Sequence, residues 1–313
     1  MMIKKMIEFR GIARAIDPVH QGGDRDGSSI SPFNRMLTRV DGEVESLPVI
    51  SANSVAGIMR RWAAAWMLDQ IEFDKFSGRN ALAAMDLLCS GGGRVVKSDK
   101  PGYIDLFEER QLREMFPCLS LFGGCIGNRM LRSRISVRDW VPLAQEYKSR
   151  LEQDLWLRAE RFSIRQLLDE VSFSTFDVKK DRLWQDRIES DTLRAWQDDQ
   201  GEGNEEKKKP ISMRYGMEVL VPGTEFRVSF VLLNPSELDV GCFLGALSYF
   251  SMLPVVGGRT QRGFGRVEID LHQLAIVRAS QAETELALGA METTTAHLLA
   301  NREQIVRMIE AGL

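Results

Sequence analysis

The sequence predicts an α+β protein built around a ferredoxin-like sheet. Residues 6–17 and 219–234 alternate apolar and polar side chains, as strands do. Apolar helix patterns follow them at residues 51–67 and 240–250, and the glycine-rich segment 253–269 ends in another strand pattern. Strand–helix–strand units in the first and last thirds are typical of a split βαβ sheet, with the middle third inserted.

Composition limits the function classes. The 313 residues are 44% apolar and 27% charged, which is typical of a soluble globular protein. A net charge of −3 excludes a uniformly basic nucleic-acid protein, so a polyanion site must be a local patch. The four cysteines form no C-x-x-C pair, and the three histidines lack metal-ligand spacing. We therefore expect reduced thiols, a cytoplasmic protein, no metal or other cofactor, no signal peptide and no membrane segment.

The helix predicted at residues 51–67 has the clearest pattern in the chain. Ser51 and Asn53 are good N-caps, and Arg60 and Arg61 lie off its apolar face. The apolar face is formed by Val55, Met59, Trp62, Trp66 and Met67. A Ser/Asn-rich helix start suits a phosphate, while an ordinary capped helix with solvated arginines explains the same residues.

Further patterns occur in the inserted middle third, before it and after it. Helices are predicted at residues 77–93 and 105–118, the second with a stop at Pro117, and Asp41 with Gly42 indicates a hairpin turn. A basic strand follows, in which Arg129, Arg132, Arg134 and Arg138 lie opposite apolar groups. Residues 278–313 are predicted as one or two amphipathic helices.

A long β-hairpin with a charged tip is predicted between residues 171 and 219. Alternation places Met213, Tyr215 and Met217 on one side of its return strand. Such an arm can wedge or stack against bases, and the alternative is an insertion packed on its own fold.

The segment from residue 253 to residue 269 carries the strongest functional pattern. Glycines allow left-handed backbone angles and close approach, and arginine is well shaped for phosphate. The segment contains Gly257, Gly258, Gly263, Gly265, Arg259, Arg262 and Arg266. It is either a loop that receives a polyanion or a glycine-rich turn with solvated arginines.

Acidic residues and a histidine in the first loop allow a second chemistry. Asp17, Asp24 and Asp26 could hold Mg²⁺ for cleavage, or they are solvated, turn-forming residues. His20 could act as a general acid or be a hydrogen-bonding surface group.

These motifs, in this order, resemble the RAMP superfamily, the backbone subunits of class 1 CRISPR effector complexes that serve antiviral defence. The resemblance runs from about residue 6 to residue 270 and is closest to the type IV backbone subunit. The matching segments are residues 31–35, 47–61, 119–124, 134–140, 219–226 and 257–266.

The resemblance implies a hand-shaped molecule with an RNA-recognition-type palm, helical fingers and a β-hairpin thumb. The implied parts are 1–70 (first part of the palm), 71–170 (helical fingers and basic strand), 171–217 (thumb), 218–275 (second part of the palm with the glycine-rich loop) and 276–313 (C-terminal helices). Copies of such a subunit stack along a guide RNA, with other effector subunits that can include a helicase, and the guide pairs with a target nucleic acid.

Carried over to this chain, the resemblance and the residue patterns together predict a guide-RNA surface. Its residues are His20, Gln21, Asn34, Arg35, Ser51, Asn53, Ser54, Arg60, Arg61, Arg132, Arg134, Met213, Arg214, Tyr215, Met217, Gly257, Gly258, Arg259, Thr260, Gln261 and Arg262. Related type III subunits cut target RNA with an aspartate where Ile30 and Ser31 stand here. We therefore expect no enzymatic activity. The alternative is a metal-dependent endoribonuclease that uses the first-loop aspartates, and a stand-alone protein with a small-molecule pocket is a further one.

Overall fold

The computed structural model describes residues 5–23, 30–92, 105–126, 129–174, 214–270, 275–277 and 281–312. Within these ranges the strands are β1 (Met6–Ala15), β2 (Ile30–Ser31), β3 (Arg35–Val40), β4 (Glu43–Pro48), β5 (Gly124–Ile126), β6 (Arg129–Leu131), β7 (Ile135–Val137), β8 (Val141–Pro142), β9 (Leu168–Ser174), β10 (Arg214–Leu220), β11 (Glu225–Leu233), β12 (Val267–Ile269) and β13 (Ala275–Val277). The helices are α1 (Ala52–Gln70), α2 (Gly78–Ser90), α3 (Leu106–Met115), α4 (Pro117–Phe122), α5 (Trp156–Ala159), α6 (Ile164–Leu167), α7 (Glu237–Met252), α8 (Gln281–Ala300) and α9 (Arg302–Ala311).

The central sheet has the predicted topology. Its order is β12–β1–β11–β7, and all neighbouring strands are antiparallel. The chain runs β1–α1–β7 and then β11–α7–β12, so each half is a strand–helix–strand unit. This is the ferredoxin-like arrangement, and it confirms the α+β prediction.

One face of the sheet forms the main core against α1 and α7. Ile7, Phe9 and Ala13 alternate onto this face and are buried. The Phe243 ring on α7 lies 4.8 Å from the Phe9 ring of β1 and 5.3 Å from the Phe230 ring of β11. Burying each such aromatic ring contributes about 1.5–3 kcal/mol. The predicted apolar face of α1 packs here, so the helix start is held against the edge of the sheet.

The other face of the sheet carries charged side chains. Arg227 on β11 binds Glu152 through two hydrogen bonds of 3.2 and 3.1 Å, and Arg10 on β1 lies 3.4 Å from the same carboxylate. Burial acts to raise the pKa of Glu152, but the hydrogen bond and charge of Arg227 outweigh burial, so the pKa is lowered. This polar face leads to the start of α1.

Most of the remaining elements follow the prediction. Asp41 and Gly42 both have positive φ and form the turn between β3 and β4. The helix predicted at residues 105–118 ends at Met115, before the Pro117 stop, and Pro117 begins a separate helix, α4, at a position where no N–H is needed, which corrects the predicted end. The C-terminal segment, predicted as one or two helices, forms two, α8 and α9.

The predicted hairpin is seen at its base. β9 and β10 pair antiparallel from Leu168 opposite Leu220 to Ser174 opposite Arg214. The charged tip predicted for the arm, together with Met213, lies outside the described residues. In the part of the chain that is described, no helix is long and apolar enough to cross a bilayer.

Candidate nucleic-acid interface

The glycine-rich loop follows α7 and is closed by a bridge between Val255 and Arg266. Its tip is a 3-10 turn at Thr260–Arg262, flanked by Arg259 with φ of 61° and Gly263 with φ of 80°. Both flanking residues have left-handed backbone angles, which glycine adopts at little cost. The four predicted tip residues, from Arg259 to Arg262, are all exposed.

Gly257 and Gly258 contact the segment that leaves β1. The Gly258 N–H donates to the His20 carbonyl oxygen at 2.6 Å, and the Gly265 N–H donates to the Pro18 carbonyl at 2.9 Å. A Cβ at Gly257, where φ is 77°, would overlap the His20 carbonyl oxygen. The close approach that we predicted toward a polyanion is therefore made to the protein's own backbone, which corrects the role of these two glycines.

His20 and Gln21 connect this loop to other elements. His20 is only 4% exposed, and its Nδ1 lies 2.7 Å from the carbonyl oxygen of Glu218 on β10. The ring is buried, so the predicted surface position and the assignment of His20 to the RNA surface are corrected, and its hydrogen bond is made inside the fold. Gln21 donates to Ser51 Oγ at 2.7 Å and accepts from the Ser51 N–H at 2.9 Å, so it fixes the start of α1.

The start of α1 is already capped. Ser51 accepts from the Ser54 N–H at 3.3 Å, and the Ala52 N–H donates to Asp139 Oδ1 at 2.7 Å. The Asp139 carboxylate offsets the positive end of the helix dipole. Asn53 is exposed beside them. The N–H groups of Ala52 and Ser54 therefore already have hydrogen-bond partners, so the interpretation that they are free to bind a phosphate is wrong.

Glu218 at the base of the hairpin holds the segment before β3. Its carboxylate accepts from the Phe33 N–H and from Arg35 Nη2, each at 2.7 Å. The Asn34 side chain donates to the Val49 carbonyl at 3.1 Å. The fold thus gathers the glycine-rich loop, the first loop, the α1 start and the hairpin base in one place, as the sequence predicts.

Comparison with known proteins identifies the family. A family model for the RAMP superfamily matches residues 13–268. The chain belongs to the RAMP superfamily. Among solved structures it is similar to a chain of a type IV-B CRISPR complex, with 19% identity, a TM-score of 0.54, and coverage of 88% of this chain and 92% of that chain. A search of curated proteins finds no match. The likeness supports an α+β RAMP fold similar to that of a type IV CRISPR subunit.

Four predicted arginines of this RAMP protein differ in their surroundings. Arg60 donates to the Phe122 and Gly123 carbonyls at 2.7 and 3.1 Å, and burial lowers its pKa. Arg134 Nη1 lies 2.6 Å from the buried Asp239 carboxylate at the start of α7. Both arginines serve the fold, which corrects their assignment to the RNA surface. Arg61 is exposed, and so is Arg132.

Met217 is also corrected. It is 1% exposed and packs with Val219, Val171 and Phe264 in a small apolar cluster of its own. It therefore joins the hairpin base to the glycine-rich loop and cannot stack against a base. The strand positions of Arg214 and Tyr215 are described, but their side chains lie outside the described residues.

Sequence reasoning missed Glu218, Asp139 and Phe264. One signal was available for Glu218, since it is the only acidic residue in the apolar run from Met217 to Val221. Asp17, a predicted metal ligand, lies 3.2 Å from Arg266 Nε. The described ranges contain no group of three or more His, Cys, Asp or Glu that could hold a metal, and Asp24 and Asp26 lie outside these ranges.

Proposed function

We propose that this RAMP protein is a non-catalytic, guide-RNA-binding backbone subunit of a type IV-like CRISPR ribonucleoprotein. Copies of it would stack along the guide with other effector subunits, among them a helicase, and the guide would pair with a target nucleic acid. The observation that carries the proposal is the exposed basic tip at Arg259–Arg262, fixed through His20 and Gln21 to the start of α1.

Electrostatics favours this surface despite the net charge of −3. Arg61 and Arg259 are exposed and have no carboxylate partner within the described ranges. Arginine binds phosphate through a planar set of donors, so a few well-placed guanidinium groups suffice for a local site. Base pairing by the guide would then supply sequence specificity.

Salt dependence of RNA binding tests the proposal. The double change Arg259→Ala and Arg262→Ala should weaken the binding of single-stranded RNA of any sequence, because phosphate contacts carry no sequence information. Losing two contacts should reduce the slope of log K against log salt by about 1.4, at about 0.7 per phosphate. The control Arg79→Ala with Arg307→Ala removes the same charge from exposed positions on α2 and α9. Equal slopes in the two variants would contradict the proposal.

The absence of catalysis is part of the proposal. Ile30 and Ser31 occupy the place of the type III catalytic aspartate, and Arg266 already pairs with Asp17. When the protein with its guide is incubated with Mg²⁺ and guide-complementary target RNA, we expect the target RNA to remain intact. Regularly spaced cuts that disappear on Asp24→Ala or Asp26→Ala would favour the endoribonuclease instead.

A further inference from the structure

The polar face of the sheet contains a polar cavity of about 430 Å³ that the proposed guide surface does not include. It lies where β7 and β11 meet the start of α1. Its polar lining comes from Ser136, Arg138, Asp139, Arg150 and Arg227, and Ala52 closes it toward the helix. Three arginines face one carboxylate here, so the cavity is positively charged.

The arginines of this cavity fall into two groups. Arg227 is 9% exposed and is neutralised by its two hydrogen bonds to Glu152. Arg138 and Arg150 are exposed, and in the described part of the structure neither has a carboxylate partner. Arg150 Nη1 lies 2.8 Å from Met36 Sδ, which is a weak acceptor. Two guanidinium charges at the rim are therefore available to an anion, above a fixed ion pair.

Asp139 determines where an anion can bind. Its Oδ1 accepts from the Ala52 N–H at 2.7 Å, so this carboxylate occupies the helix end. The Asp139 carboxylate repels a phosphate, whereas the guanidinium groups of Arg138 and Arg150 attract one. The basic strand in the sequence is thus divided, since Arg134 pairs with Asp239 while Arg138 faces the cavity.

We propose that this cavity is a second phosphate-binding site, which takes a backbone phosphate of nucleic acid between Arg138 and Arg150. The inference rests on the proposed function. The two sites contact adjacent residues of the α1 start, because Gln21 bonds to Ser51 and Asp139 bonds to Ala52. A strand bound at the glycine-rich loop would reach the cavity by crossing the α1 start. The phosphate belongs either to that strand or to one paired with it.

Binding of fluorescent RNA to the full chain, measured over a range of salt, tests this site. Arg138→Ala with Arg150→Ala is compared with Arg79→Ala plus Arg307→Ala as the charge-matched control. If the phosphate belongs to the bound strand, the slope for single-stranded RNA falls by about 0.7, the value for one phosphate. If it belongs to a paired strand, the slope falls only when the complementary strand is present. The double variant Arg138→Lys with Arg150→Lys retains both positive charges, so its slope of log K against log salt should match that of the wild type.

Two results would overturn the inference, and they are distinguishable. Unchanged slopes with both substrates in the Arg138/Arg150 alanine variant, while the Arg259/Arg262 variant shows its loss, would remove the cavity from the binding surface and leave the proposed function intact. A wild-type chain that binds neither substrate would remove both proposals. Thermal unfolding of the alanine variant shows whether an altered slope reflects binding, since both exposed side chains can be truncated with little effect on stability.

Discussion

Glu218 should stabilise the junction between the hairpin base and the first loop far more than an ordinary surface glutamate does. Its two carboxylate oxygens accept from the Phe33 N–H and from Arg35, each at 2.7 Å. Phe33 is buried at 1% exposure, and the Arg35 and Glu218 side chains are 32% and 24% exposed. Removing the carboxylate leaves a buried N–H unpaired, so Glu218→Ala should lower the free energy of unfolding by about 2–3 kcal/mol.

Glu218→Gln separates hydrogen bonding from charge. The amide oxygen can still accept from the Phe33 N–H, so only the partly exposed ion pair to Arg35 is lost, at a cost of about 1 kcal/mol or less. Equilibrium urea unfolding of both variants measures the difference. Glu170→Ala, at an exposed position on the partner strand β9, is the control and should stay within about 0.5 kcal/mol of wild type. If Glu218→Ala also stays within that limit, or if the glutamine variant is equally destabilised, the reasoning is refuted.

Three further predictions concern backbone, acid and thiol chemistry. Gly257→Ala should lower the thermal midpoint more than Gly263→Ala does. Both glycines have positive φ, but only a Cβ at Gly257 meets the His20 carbonyl oxygen. Equal midpoints of the two variants would contradict this. The pKa of Glu152 is lowered from its ordinary 4.5, so the contribution of its carboxylate to stability is complete above pH 4.5 and is lost as pH falls through the folded-state pKa. The urea midpoint of Glu152→Gln should therefore vary less with pH below 4.5 than the midpoint of the wild type does. Burial raises the pKa of Cys118 to about 12, so iodoacetamide at pH 8 should label it only after unfolding, as peptide mass spectrometry can show.

The sequence predicted the sheet and its helices because periodicity reports which side chains share a face. It could not say which face another element covers. Met217 alternates correctly along its strand, yet Phe264 from the glycine-rich loop packs against it. Arg60 lies off the apolar face of α1, yet the end of α4 supplies carbonyl acceptors to it. The bond from Glu218 to Phe33 spans 185 residues, so no local pattern contains it.

The distribution of ion pairs explains how an acidic chain can carry a polyanion surface. Arg35, Arg134 and Arg227 each bind a carboxylate, and their charges are consumed by the fold. Arg138 and Arg259 have no such partner in the described part of the chain, and both belong to segments that contact the residues around the start of α1. Net charge therefore says little about the proposed RNA ligand, because binding would depend on the guanidinium groups that do not pair with a carboxylate inside the fold. Screening these groups with salt should weaken RNA binding while leaving the buried pairs largely unaffected.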